Sequence, residues 1–228
     1  MKLDHITDIF FDLDHTLWDF EKNSALAFKE IWQSRQMNID LDSFLSHYVP
    51  LNYQYWERYR NGEITQEVLR YGRLRDTFEL LNYVIGDEMI EQLSSDYIEI
   101  LPDHNHLFEG AIEVLQYLSA RYNLHIITNG FDEVQNRKIV NSGLAQYFQT
   151  ITNSEMAGVK KPDPRIFEYA LAKANARKES SIMIGDCIEA DVRGALNCGI
   201  DAILFNGNVC EDGSIKHIKH LQDLKIYL

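Results

Sequence analysis

Three short apolar runs, each stopping at a small group of polar residues, constrain this chain more than any other feature. Residues 6–11 are apolar apart from Thr7 and Asp8, and they end at Asp12 and Asp14. Residues 124–127 (Leu-His-Ile-Ile) end at Thr128-Asn129-Gly130, and residues 181–184 (Ser-Ile-Met-Ile) end at Gly185-Asp186. Such runs, rich in β-branched and aromatic residues, predict buried strands. A weaker strand is expected at 148–152 and another at 202–205. The stretches 110–121, 132–141, 163–174 and 191–198 carry apolar residues at helical spacing. Gly143 is placed to be a left-handed C-cap, and Pro164 stands where a helix favours proline. The tail, 215–228, reads as a short final helix or strand. Strands separated by helices predict an α/β fold: a parallel sheet with helices on both faces. The strand ends then lie along one edge, where open α/β sheets bind ligands.

The alternation is interrupted once. Residues 18–99 read as helical throughout, with breaks at Asn61-Gly62 and Gly86-Asp87 and a candidate N-cap at Thr65. About four helices are expected, enough for a small bundle. The block follows the first strand, so it reads as an insertion, 17–99, into a core made of 1–16 and 100–228. Its aromatics (Phe44, Tyr48, Tyr53, Tyr55, Trp56, Tyr59) are expected mainly in the bundle core, with Trp18 and Phe20 as exceptions near the first strand. Arg58, Arg60, Arg70, Arg73 and Arg75 are expected on solvated faces.

Composition narrows the function. The net charge of -13 over 228 residues repels a phosphate backbone, so nucleic-acid binding is not expected. A small phosphorylated ligand is compatible, because one local cation can outweigh the global field. Three cysteines (Cys187, Cys198, Cys210) without metal-like spacing fit a reducing, cytoplasmic setting better than a disulfide framework. The first residues, Met1-Lys2-Leu3-Asp4-His5, carry charge and no long apolar run, so no signal peptide is read. No stretch approaches the roughly 18 apolar residues of a membrane span.

Asp12 and Asp14 are two residues apart, hence on the same side of a continuing strand. Two such anions need a cation, and oxygen ligands at a sheet edge point to magnesium. The spacing alone also allows a turn with two solvated aspartates. Thr128, Asn129 and Asp186 stand at the other strand ends, and Lys160-Lys161 precedes Pro162 on the same side. Carboxylates, a hydroxyl, an amide and a cation together suit phosphoryl transfer, which depends on positioning and charge neutralisation. No histidine stands at a strand end to support serine or cysteine hydrolysis.

Four motifs in order resemble the haloacid dehalogenase superfamily: Asp12-Leu13-Asp14-His15-Thr16, the strand-end Thr128, Lys161-Pro162, and Gly185-Asp186-Cys187-Ile188-Glu189-Ala190-Asp191. The resemblance implies a Rossmann-like core with a helical cap inserted after the first motif. It implies that Asp12 is a nucleophile forming an aspartyl-phosphate and that Asp14 is the general acid and base. Thr128, with the backbone at Asn129, would hold the phosphoryl group, and Lys161 would neutralise it. Magnesium would be bound by Asp12, Asp186 and the backbone carbonyl of Asp14, with Asp191 orienting metal-bound water. The dehalogenases of the superfamily lack an aspartate at the position of Asp14, so its presence favours phosphate chemistry. Trp18-Asp19-Phe20, Asn23, Ala25 and Gly62-Glu63-Ile64-Thr65 are similar to the pyrimidine 5′-nucleotidase-like members. That similarity implies a nucleoside 5′-monophosphate substrate, with Trp18 and Phe20 as substrate contacts. The alternatives are a sugar-phosphate or other small-metabolite phosphatase, a phosphomutase, or a binder of a phosphorylated ligand without turnover. The cap is expected to move on hinges at 16–19 and 99–103. The oligomeric state is not legible.

Overall fold

The computed structural model describes residues 3–206 and 215–228, so Met1, Lys2 and Cys210 lie outside the described residues. The chain divides into two compact units, 1–20 with 105–228, and 21–104. The first unit opens with β1 (Asp8–Phe11). The chain then runs through four helices, α1 (Phe20–Ser34), α2 (Leu41–Arg60), α3 (Gln66–Leu80) and α4 (Asp87–Ile100). It continues with α5 (Ala111–Ser119), β2 (Asn123–Thr128), α6 (Asp132–Asn141), β3 (Thr150–Asn153), α7 (Ser154–Ala157) and α8 (Pro164–Ala174). Next come β4 (Ser181–Gly185), a π-helical turn (Ile188–Arg193) running into α9 (Gly194–Asn197), β5 (Asp201–Phe205), β6 (Lys216–Ile218) and α10 (Leu224–Tyr227).

The described strands form one parallel sheet in the order β3-β2-β1-β4-β5-β6. The chain steps outward from β1 through β2 to β3, then crosses back to β4 on the other side of β1. The C-terminal ends of β1 and β4 therefore flank the topological switch point, where a crevice opens above an α/β sheet. Successive side chains of β1 alternate between faces. Phe10 packs with Phe167, Ile166 and Val192 beneath α8 and the π-helical turn. Phe11 meets the ring of Phe148 edge-on at 6.2 Å.

Residues 14–20 stay with the sheet through backbone bonds. Trp18 forms single-residue β-bridges with Asp14 and with Leu107. The Asp19 amide donates to the His106 carbonyl (3.0 Å), and the Phe108 amide to that of Leu17 (3.0 Å). His15 takes a left-handed conformation (φ 62°) in this turn, a place where a non-glycine residue is uncommon.

The helical unit follows its sequence signals. Thr65 accepts a hydrogen bond from the Val68 amide and caps α3. Phe28, Phe44, Tyr48, Phe78 and Tyr97 are buried and in ring-to-ring contact, so those aromatics are bundle core, whereas Tyr53, expected with them, is exposed. Arg73 departs from its expected solvated face and is 2% exposed. It lies four residues from both Leu69 and Thr77, on the buried stripe of α3. There it donates to the Asn52 side-chain carbonyl (2.8 Å) and lies over the Tyr97 ring at 5.0 Å, which compensates its charge.

The tail contains both a strand and a short helix, β6 and α10. The expected helix over 191–198 begins earlier, at Ile188, because the turn after Asp186 winds directly into it. Cys187 and Cys198 are free thiols. Among the described residues, no helix is long and apolar enough to cross a membrane.

Candidate active site

The sheet's switch point gathers most of the polar residues singled out above. Asp12 is the first residue beyond β1, and its amide donates to the Ile184 carbonyl of β4 (2.9 Å), so its backbone is fixed between the two strands. Asp186 is the first residue beyond β4, and its carboxylate accepts from the buried Thr16 hydroxyl (3.3 Å). Asp191 comes from the π-helical turn and reaches back: one carboxylate oxygen accepts from the Cys187 amide at 3.0 Å. Gly185 permits this approach, because a Cβ there would overlap the Asp191 carboxylate.

Lys161 enters from the loop before α8. The Asn129 side chain holds its backbone in both directions, donating to the Lys161 carbonyl (3.0 Å) and accepting from its amide (2.8 Å). Thus Asn129 has its side chain committed to placing the lysine. The Lys161 ammonium then donates to Asp12 Oδ1 (2.6 Å), Asp191 Oδ1 (2.6 Å) and the Ile127 carbonyl (2.8 Å). An ammonium has three protons, and three acceptors take them.

One buried cation does not balance three carboxylates. Asp12, Asp186 and Asp191 bring one oxygen each to within 4.8 Å of one another. Burial, opposed by Lys161 and reinforced by Asp191, pushes the Asp12 carboxyl up to about 7. Burial, with the Asp191 and Asp12 charges added, pushes Asp186 well above the usual carboxylate range. Burial alone would lower Lys161, but the neighbouring Asp12 and Asp191 carboxylates win and hold it above its ordinary value. These directions describe a pocket with surplus negative charge and hard oxygen donors. A divalent cation such as magnesium fits that donor set and would remove the surplus.

Asp14 faces other partners. Its Oδ1 accepts from the Lys138 ammonium (2.6 Å), and its Oδ2 from the Gln135 amide nitrogen (2.9 Å). The same nitrogen donates to Thr128 Oγ1 (2.7 Å), which also accepts from the Gly130 amide (3.1 Å). Both lone pairs of the Thr128 hydroxyl are thereby filled, which leaves its proton as a donor. Among the described residues, the buried Gln135 carbonyl oxygen meets no donor. Gly130 leaves room for this amide, since a Cβ there would overlap it. Lys138 also lies 4.2 Å over the Trp18 ring and 5.2 Å from that of Phe20. Both rings are buried in the sheet unit, at 0% and 6% exposure. Trp18 and Phe20 thus meet a lysine of their own unit.

The structure therefore brings Asp12, Lys161, Asp186 and Asp191 into one cluster, and links Asp14 to Thr128 through Gln135. Sequence reasoning missed Gln135 and Lys138. The available signal was their i, i+3 spacing on α6 beside Val134 and Ile139, two long polar side chains on an otherwise apolar face. That pattern states that something polar faces inward but does not say what it meets.

Residues 9–205 match the family described as haloacid dehalogenase-like hydrolase. The chain is 31% identical over 201 residues to the pyrimidine 5′-nucleotidase YjjG of Escherichia coli K12, covering 88% of this chain and 86% of that protein. It is also 31% identical over 210 residues to the pyrimidine 5′-nucleotidase PynA of Streptococcus pneumoniae R6, covering 90% and 85%. Among solved structures, the HAD-hydrolase YfnB of Bacillus subtilis, determined bound to magnesium, superposes with a TM-score of 0.86 at 25% identity, covering 97% of each chain.

Proposed function

This chain belongs to the family of haloacid dehalogenase-like hydrolases, and from that premise we propose that it is a cytoplasmic, magnesium-dependent phosphatase of nucleoside 5′-monophosphates. The observation that carries the reaction type is the Lys161 ammonium held between Asp12 and Asp191 at 2.6 Å each, beside Asp186 at the switch point. A buried carboxylate paired with a lysine and facing a divalent-cation site is equipped to attack an anion, because its own charge and the substrate's are both neutralised.

In the proposed sequence, an Asp12 oxygen attacks phosphorus while the bond from phosphorus to the ester oxygen breaks. Asp14 delivers a proton to that leaving oxygen. The Thr128 hydroxyl, with its proton left to donate, and the Asn129 backbone bind phosphoryl oxygens, and Lys161 balances the charge on Asp12 and the group it receives. Asp14, now a carboxylate, takes a proton from water as that water attacks the aspartyl-phosphate. The bond from phosphorus to the Asp12 oxygen breaks, which restores the Asp12 carboxylate and the protonated Asp14 and frees inorganic phosphate. Asp12 and Asp186, with the Asp14 backbone carbonyl, would hold magnesium, and Asp191 keeps its place beside them. When bound, magnesium supplies charge neutralisation and orientation for the transferring phosphoryl group. The helical unit, 21–104, is assigned the choice of substrate.

The nucleotide assignment rests on likeness to the two pyrimidine nucleotidases. Phosphate release from nucleoside monophosphates and sugar phosphates, with magnesium and with chelator, tests it. Magnesium-dependent turnover concentrated on nucleotides is the expected result. Turnover concentrated on sugar phosphates would retain the chemistry and remove the nucleotide reading. Isomerisation of an added sugar phosphate would identify a mutase, and no turnover would favour a binding role.

Metal binding has its own readout. A carboxyl whose folded value is raised, as Asp12's is to about 7, keeps a proton that the unfolded chain has already lost above about 4. The metal-free protein therefore loses stability as pH rises through that window. Magnesium binds the ionised form, so its stabilisation grows over the same window. At about 100 times Kd it contributes ~2.7 kcal/mol, a rise of roughly 5–10 °C for a chain of this size at pH 8. A much smaller rise is expected at pH 5. Thermal melts at both pH values decide this, and equal shifts would count against the carboxylate site.

A further inference from the structure

We propose that Gln135 and Lys138, one face of α6, are positioning residues that clamp the Asp14 carboxylate for proton delivery to the leaving oxygen. The inference rests on the phosphatase reading above, and it assigns a role to two residues outside the four motifs.

The geometry is specific. Each Asp14 oxygen receives one hydrogen bond, from Lys138 at 2.6 Å and from Gln135 at 2.9 Å. Two bonds to two different oxygens fix the plane of a carboxylate, which a single bond leaves free to rotate. Each oxygen retains a second lone pair, so the clamp orients the group without consuming its capacity to carry a proton. The clamp is itself held. Lys138 is 2% exposed and lies 4.2 Å over the Trp18 ring, so burying its charge is offset by Asp14 and by the aromatic face. The Gln135 orientation follows from the Asp14 carboxylate, which accepts and cannot donate. The Gln135 carbonyl meets no donor among the described residues. One nitrogen thereby couples the proposed acid to the proposed phosphoryl-binding hydroxyl.

A positioning role for an acid predicts a leaving-group signature. The 5′-oxygen of a nucleoside needs a proton as it departs, whereas 4-nitrophenolate departs as a stable anion. The quantity to measure is kcat/KM for a nucleoside 5′-monophosphate divided by kcat/KM for 4-nitrophenyl phosphate. It reports only steps up to formation of the aspartyl-phosphate, so the later water attack does not enter. Asp14→Asn is run first and should lower this ratio by about 100-fold or more. Lys138→Met should lower it by roughly 100-fold and Gln135→Leu by roughly 10-fold, while Lys138→Arg, which keeps a charged donor, should stay within about 10-fold of wild type. A merely structural role would lower both substrates together and leave the ratio unchanged, which would overturn the inference. If Lys138→Met does not fold, as judged by its thermal melt, Gln135→Leu decides alone, because it removes no charge. An unchanged ratio in Asp14→Asn would instead remove the acid assignment itself, so failure of the clamp and failure of the underlying reading are separable.

Discussion

Asp12→Asn is expected to remove turnover while making the metal-free protein more stable above pH 7. The loss of activity follows from the proposed role, because an amide cannot form the covalent intermediate. A fall in kcat on the order of 10⁴-fold or more is expected when a nucleophile is removed from a preorganised site. The gain in stability follows from the charge surplus at the switch point. Asp12 and Asp191 share one lysine with Asp186 close by, and burial with the Asp191 charge raises Asp12 to about 7 despite its contact with Lys161. Between about pH 4 and 7 the folded state holds a proton that the unfolded chain has released, so stability declines with pH. Above 7 the carboxylate is ionised at its full cost. Asparagine keeps the shape and discards that charge, so the gain should appear at pH 8 and largely vanish at pH 5. A gain of even one kcal/mol would raise the midpoint by about 2–4 °C. Magnesium should then stabilise the variant less than wild type. Melts in chelator at the two pH values, with acid-quenched trapping of phosphoenzyme, test both halves. A variant that is less stable at pH 8 would mean that Lys161 depends on Asp12 more than Asp12 burdens the site.

The frame of this site was legible because short-range rules govern it. Strand ends are marked by an abrupt change from apolar to polar, and a parallel sheet must place those ends on one edge. Asp12, Thr128 and Asp186 were readable for that reason, as were the lysine before Pro162 and the boundaries of α6. What was not readable depends on three-dimensional neighbours. The inward aim of Arg73 needed the packing of α3 against Asn52 and Tyr97. Gln135 and Lys138 needed knowledge of what α6 covers. Asn129 shows both limits: its place at the end of β2 was evident, but its side chain's hold on the Lys161 backbone joins residues 32 positions apart. The π-helical start at Ile188 was hidden because the helical spacing that follows reads the same from either start.

Replacing Lys161 should cost more stability than any other single change in this site, and arginine should not rescue it. The ammonium serves three acceptors at 2.6, 2.6 and 2.8 Å, arranged around a point charge. Lys161→Met leaves the Asp12 and Asp191 carboxylates buried without a cation and the Ile127 carbonyl without its donor. Breaking a buried ion pair from one side costs about 3–5 kcal/mol, which is roughly 6–20 °C here. The pH dependence has a definite sign. The folded lysine is held above its ordinary value of 10.5 by its two carboxylates, so its contribution is complete at neutral pH and is lost only in strong alkali. In the variant, the exposed deficit belongs to the carboxylates, which protonate more readily than before. The gap between variant and wild type should therefore narrow from pH 8 to pH 5. Turnover should fall by about 10²–10³-fold even at saturating magnesium, as when one preorganised charge-stabilising donor is lost. Arginine carries the charge in a planar fork suited to one carboxylate, not to three acceptors converging on one atom. Lys161→Arg should accordingly remain well below wild type in both midpoint and kcat. Recovery of both by arginine would show that only charge is required at this position, and the three-acceptor argument would fail.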